Sequence, residues 1–340
     1  MANKLVQHIP LSILDLAPIT EGNNAAVTFR NSLRLAQRAE ELGYRRYWLA
    51  EHHNMESVAS SATSVLIGYI AGGTHTIRVG SGGIMLPNHA PLVVAEQFGT
   101  LASLYPGRID LGLGRAPGTD QVTARALRRN HMESAQDFPD DVAALQTYFS
   151  ADNSSSKVRA IPGEGLDIPI WILGSSTDSA RLAAHMGLPY AFASHFAPTH
   201  FLNAIALYRQ NFKPSQHLAH PYVMACVNVI AADTNEEAEW LATSFFQLAT
   251  GIITGRRRAL QPPVESMEGL WGEYEEEAVR QMMKFTFIGD RKTVGSGLAD
   301  FQQRTQLDEL MVTSHIYDPQ ARIHSYEVLK SIQDESFFSS

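Results

Sequence analysis

The chain has a single cysteine in 340 residues, Cys226, so no disulfide can form within it, which fits a reducing compartment. It has no excess of basic charge. Lys and Arg number 27 against 35 Asp and Glu, a net charge of −8 that argues against nucleic acid or an anionic membrane as the main partner. No segment reaches the roughly 20 consecutive apolar residues that span a bilayer. Asp15 interrupts the only early apolar stretch, so no signal peptide is read and the cytoplasm is the expected location. Chemical signatures are missing as well. Without HExxH or a cysteine cluster no metal site is expected, and Glu51, His52 and His53 are too closely spaced to converge on one ion from a strand. There is no GxSxG elbow, and Gly112–Gly118 misplaces the third glycine of a dinucleotide GxGxxG.

What is present is a large core, with 44% hydrophobic and 18% charged residues. Apolar runs of strand length alternate with stretches of helical spacing. Strands are expected over Leu11–Ile19, Tyr44–His52, Ile77–Leu86, Arg108–Leu113, Ile168–Leu173, Tyr190–Ser194, Tyr222–Ala231 and Glu309–Ser314. Helices fall between them, the first closed by Gly43 and the third by Pro106-Gly107, and the last over Ala321–Ile332. Asp120–Phe149 is polar and helix-prone, and Ser150–Ser156 is a polar loop. The strands are uniformly apolar rather than alternating, which points to parallel pairing under helices. Eight such units are the number that closes, so the expected fold is one α/β (β/α)8 TIM barrel over residues 1–340. Gly251–Lys284, carrying Arg256-Arg257-Arg258 and Pro262-Pro263, breaks the alternation between strands seven and eight. It is expected to be a mobile lid or a surface excursion, with the arginines either closing on a ligand or solvated.

Polar groups gather where strands end, which is where a barrel of this kind keeps its chemistry. Tyr44–Asn54 is an aromatic strand ending in Glu51, His52 and His53. Side chains alternate along a strand, so both imidazoles aim at one point only if the loop has begun by then. Three glycines, Gly80, Gly82 and Gly83, interrupt the third strand, for close approach of a flat ligand or for a tight bend. The fourth ends in Gly114-Arg115, a cation at the mouth. The fifth ends in Gly174-Ser175-Ser176-Thr177 before a helix, a cradle for phosphate or ordinary N-capping; Arg115 on the neighbouring strand tilts that balance towards phosphate. His195 and His315, ending strands six and eight, either line the same mouth or satisfy loop backbone.

Trp48–His53, Gly80–Pro87, Pro106–Arg108, Gly112–Arg115 and Gly174–Ser176 resemble the bacterial luciferase-like monooxygenases, in the single-chain, flavin-dependent branch. The likeness runs in register from about Leu11 to His195, weakens through Gly251–Lys284 and recovers in Ile288-Gly289-Asp290 and Asp308–Leu310. The resemblance implies a (β/α)8 barrel with FMN, or in some branches a deazaflavin, at the C-terminal mouth. It implies a catalytic imidazole at His52 with His53 and Glu51 beside it. A non-prolyl cis peptide is implied at Gly82-Gly83, under the flavin ring, with Arg115, Gly174, Ser175 and Ser176 at the flavin phosphate. Gly114 stands where the luciferases have a reactive cysteine, so that thiol's role is absent, and Gly251–Lys284 corresponds to their mobile active-site loop.

The activity so implied is oxidation of a small organic substrate by reduced FMN and O2. A separate flavin reductase is the expected supplier, since the chain has no nicotinamide fingerprint. Two alternatives share the scaffold: a deazaflavin-dependent dehydrogenase that transfers hydride, and a flavin-binding protein without turnover. Barrels of this family commonly dimerise, which makes a homodimer one expected state.

Overall fold

A closed ring of parallel strands organises the protein, seen in a computed structural model that describes residues 9–116, 118–127 and 136–334. In chain order the described strands are β1 (Leu11–Asp15), β2 (Arg46–Leu49), β3 (Arg78–Ser81), β4 (Ile84–Met85), β5 (Ile109–Gly114), β6 (Ile170–Gly174), β7 (Tyr190–Phe192), β8 (Val223–Ala231), β9 (Thr286–Gly289) and β10 (Glu309–Thr313). The helices are α1 (Ala25–Glu41), α2 (Thr63–Gly72), α3 (Pro91–Leu104), α4 (Gln121–Leu127), α5 (Phe138–Phe149), α6 (Thr177–Met186), α7 (Phe201–Asn211), α8 (Asn235–Ile253), α9 (Glu273–Met282), α10 (Arg291–Thr305) and α11 (Pro319–Asp334). Strands β1, β2, β3, β5, β6, β7, β8 and β10 pair in that order, and β10 pairs back onto β1. The fold is a TIM barrel, as the spacing of apolar runs implies.

Two elements depart from that reading. The third strand, expected in one piece over Ile77–Leu86, breaks into β3 and β4 at a cis Gly82–Gly83 peptide bond. The pair β9 and α10 was not expected at all. Strand β8 has nine residues, more than the ring needs. Its first part pairs with β10 through Met224–Asn228, and its far end pairs with β9 through Asn228–Ala231. Most of β9 is only half-buried and α10 carries Gly295 and Gly297, so neither shows a strong apolar period. Asp120–Phe149 contains α4 and α5; residues 128–135 of that stretch lie outside the described ones, and Ser150–Ser156 contains a single 3-10 turn.

Packing separates the barrel's two faces. Outward side chains such as Tyr47, Leu49, Val79, Leu111 and Val227 meet the helices in one continuous core. Inward ones form layers. At the N-terminal end Arg46 lies between Asp110 (2.7 Å) and Glu309 (2.9 Å), with Ser12 and Tyr222 also bonded to Glu309. Above it Trp48 and Trp171 meet edge-to-face at 5.2 Å, with Leu14, Met224 and Met311 around them. Two bulky rings fit inside a barrel of this size because β3 and β5 turn glycines inward. A Cβ on Gly80 would lie 2.5 Å from the Asp110 carbonyl and 2.9 Å from Trp48 Nε1, and one on Gly112 would lie 2.2 Å from the Ser81 carbonyl. The top layer is small: Ala50, Gly82, Gly114 and Cys226.

A second, smaller core lies over the β8–β10 side of the barrel's C-terminal end. There α8, α9 and Trp271 pack on Ile230, Ala232 and Ile316. Residues 255–272 join these helices and are tied down along their length. Leu260 exchanges backbone hydrogen bonds with Ile19 and Glu21, and Gln247 Nε2 and Thr243 Oγ1 bond to Pro262 and Val264. No described helix is long and apolar enough to cross a membrane.

Candidate active site

Strand β2 sets the site by simple alternation. Arg46, Trp48 and Ala50 face inward, and His52 continues that face just past the strand's end. Glu51 belongs to the opposite face. Its side chain is 1% exposed and collects four donors: His53 Nε2 (2.9 Å) and His89 Nε2 (2.9 Å), Asn88 Nδ2 (3.3 Å) and the Met85 N–H (3.1 Å). Burial pushes its carboxyl up, but the His53 and His89 contacts outweigh that and hold it down at about 2. An ionised carboxylate only accepts, so both imidazoles donate through Nε2–H. Glu51 therefore ties the end of β2 to the 85–89 turn that follows the cis bond. His53, expected beside His52, turns back to Glu51 instead of sharing its direction.

His52 is half-buried, and its Nδ1 lies 3.2 Å from the Gly118 carbonyl. A carbonyl cannot donate, so Nδ1 carries the hydrogen and Nε2 keeps its lone pair when the ring is neutral. Burial lowers the pKa of this imidazole, so the neutral form prevails near pH 7. Gly118 sits so close that a Cβ there would lie 2.8 Å from the Glu51 carbonyl.

Two more imidazoles continue inward faces at the same end. His195 lies beyond β7 and His315 beyond β10, and both are pushed down to about 3, chiefly by burial. The charge His195 would carry is further opposed by His315 and His52, so the three rings lie near one another. His315 stacks on Phe245 of α8 at 4.6 Å. Arg322 holds the preceding carbonyl, Ser314, at 2.9 Å while pairing with buried Asp15 at 2.8 Å. Three buried polar atoms on or just beyond adjacent strands have no hydrogen-bond partner among the described residues: His195 Nδ1, Asn228 Oδ1 and Thr313 Oγ1. Buried atoms of that kind ordinarily bind water or ligand.

On the far side of the opening, pairing of Gly114 with Leu173 brings Arg115 next to Gly174. The Arg115 side chain is exposed and has no ion pair among the described residues. Ser175 keeps the inward face, whereas Ser176 caps α6 by accepting from the Ser179 N–H at 3.4 Å. Gly174 lies against Ser179, where a Cβ would come within 2.1 Å of its hydroxyl. Gly82 and Gly83 have a packing reason of their own, since a Cβ would meet Leu14 at 2.7 Å and the Gly112 carbonyl at 2.7 Å respectively. Arg257 lies close enough to His52 for its charge to add a minor push to the lowering of that imidazole's pKa, after burial. The sequence reading missed His89, Asn88 and the Gly118 carbonyl. Asn88-His89 directly follows the glycine-rich strand and was the one available signal for them; nothing local marks a backbone carbonyl. Among the described residues no three His, Cys, Asp or Glu side chains are set to hold a metal ion.

A parallel (β/α)8 barrel with imidazoles, a cation and unpaired polar atoms at its C-terminal mouth defines an enzyme of the TIM-barrel class. Comparison with known proteins narrows this. The family model for luciferase-like monooxygenases matches residues 9–307. A luciferase-like monooxygenase of Escherichia coli is 53% identical over 327 residues, 96% of this chain and 98% of that one. The N-acetyl-S-alkylcysteine monooxygenase of Bacillus subtilis is 39% identical over 262 residues, 73% and 75% of the two chains. The solved structure of apo-MsnO8 superposes with a TM-score of 0.86 at 33% identity, covering 96% of this chain and 98% of its own. The chain belongs to the luciferase-like monooxygenases and is an oxidoreductase.

Proposed function

We propose that the protein is a flavin-dependent monooxygenase that uses reduced FMN and O2 to oxidise a small organic substrate in the cytoplasm. The observation that carries this reading is His52, with Nδ1–H committed to Gly118 and Nε2 left as a base on the inward face. The residues around it suit FMN. Arg115 and Ser175 offer a cation and a hydroxyl for a phosphate beside the N-terminus of α6. The unpaired atoms of His195, Asn228 and Thr313 offer polar partners for the edge of a heterocycle. Reduced FMN, when bound, supplies the electrons that activate O2.

The chain's own residues do the rest. His52 takes or returns a proton at Nε2. Glu51 and His53 act as positioning groups, fixing the β2 end and the 85–89 turn against each other. Residues 255–272 lie beside the opening on the His52 side and act as the lid that excludes water. A separate reductase supplies the reduced flavin. The monooxygenase names of the relatives favour O2 as co-substrate over hydride transfer by a deazaflavin, and the cysteine thioether of the Bacillus relative makes thioethers the first substrates to try.

The test is anaerobic titration with reduced FMN, followed by oxygen uptake with a panel of thioethers and aldehydes. Saturable binding and substrate-dependent incorporation of labelled oxygen are expected. Binding of a reduced deazaflavin but not of reduced FMN would overturn the reading.

A further inference from the structure

Beside the mouth, the cap formed by α8 and residues 256–275 encloses a cavity of about 690 Å³ that shares no lining residue with the site above. One wall is a stripe of α8, Gln247, Thr250, Gly251 and Thr254, spaced three and four residues apart so that they share a face. Arg256 and Arg258 line the cavity from the segment that follows, while Arg257 between them does not and lies near His52. Met267, Leu270 and Trp271 add apolar surface to the lining, Met267 buried and the Trp271 ring packed on Phe246 at 5.5 Å.

The polar groups of this cavity are not equivalent. Thr250 and Thr254 donate their hydroxyl hydrogens to the carbonyls of Phe246 and Thr250, both at 2.8 Å. Gln247 Nε2 donates to the Pro262 carbonyl at 2.9 Å. Glu275, the one carboxylate among the lining residues, accepts from the Gly272 N–H at 3.1 Å. Neither Arg256 nor Arg258 has a hydrogen-bond or ion-pair partner among the described residues. Two arginines without a partner among the described residues thus line a cavity that Met267, Leu270 and Trp271 also line, in a protein whose net charge is −8. Guanidinium groups hold carboxylates by paired, charge-assisted hydrogen bonds, and the Met267, Leu270 and Trp271 side chains in the same lining offer contact to an apolar body.

We propose that this cavity is a binding site for a small organic carboxylate with an apolar body, its head on Arg256 and Arg258 and its body against Leu270 and Trp271. The site stands apart from the flavin reading and is tested on flavin-free protein. Benzoate, phenylacetate and hexanoate, each paired with its uncharged amide, are titrated calorimetrically into the full chain. At least one carboxylate binds saturably at one site, and its amide binds at least about tenfold more weakly. The exposed positions of both arginines let Arg256→Gln/Arg258→Gln fold, and that double variant loses at least about tenfold in carboxylate affinity. Arg257→Gln leaves the affinity unchanged. Absence of binding by all three carboxylates, or binding that survives the double variant, overturns the proposal. Loss through Arg257→Gln alone also overturns it, because the carboxylate then sits at the mouth.

Discussion

Glu51→Gln isolates the role of one buried carboxylate, and the structure allows its size to be worked out. The folded-state carboxyl is held at about 2 against an ordinary value of 4.5. That difference of about 2.5 pKa units is worth about 3 kcal/mol at 1.36 kcal/mol per unit, and at 1% exposure the side chain gains little from solvent screening. The sign follows from the direction of the shift. A depressed folded pKa stabilises above the unfolded value and loses its contribution as pH falls towards the folded one. The deficit of the amide variant should therefore be about 3 kcal/mol at pH 5 and shrink to about 1 kcal/mol at pH 3. Urea unfolding of both proteins at the two pH values, followed by tryptophan fluorescence, measures it. A variant as stable as the parent at pH 5, or a deficit that grows on acidification, would refute the assignment of Glu51 as an ionised anchor for His53, His89 and the 85–89 turn.

His52→Ala should lower kcat/KM by about 10²–10⁴ while leaving the Kd for reduced FMN within a few-fold, and abolished flavin binding would reject the role. In the parent enzyme a neutral His52 base predicts an acid limb in the kcat/KM profile with an apparent pKa below the ordinary imidazole value of about 6.5, and a limb above that value would contradict it. Gly112→Ala, whose Cβ would lie 2.2 Å from the Ser81 carbonyl, should destabilise by about 1–3 kcal/mol or more, read as a lower urea midpoint. Arg46→Met removes the cation shared by Asp110 and Glu309, leaving Asp110 to Arg78 and Glu309 to Arg45, Ser12 and Tyr222, and should cost about 1–3 kcal/mol; a loss under about 0.5 kcal/mol would show that the buried network does not need it.

Much of the barrel was legible in advance because strand alternation and helical spacing are local. Arg46, Trp48, Ala50 and His52 share a face by parity alone, and the step that sets Glu51 on the other face needs no tertiary contact. Ser176 as the N-cap of α6 is equally local. What failed locally was what partners supplied. Strand β9 exists because the long β8 offers it an edge, and the split between β3 and β4 goes with glycines packed against β5.

The amino-acid order by itself thus determined the eight strands of the ring, the closed barrel they make and the C-terminal mouth where His52, Arg115 and Ser175 gather. Each of these follows from periodicity or from a strand's end. Only the tertiary structure decided which imidazole keeps the inward face and which turns back to Glu51. His53 is turned by Glu51, which is in turn held by His89, 38 residues away, and His52 is oriented by the Gly118 carbonyl, 66 residues away. Only the fold likewise set Arg256 and Arg258, but not Arg257 between them, in the lining of the cavity. Hydrogen bonds across such distances depend on how the strands register and where their loops return, and no residue's immediate neighbours carry that information.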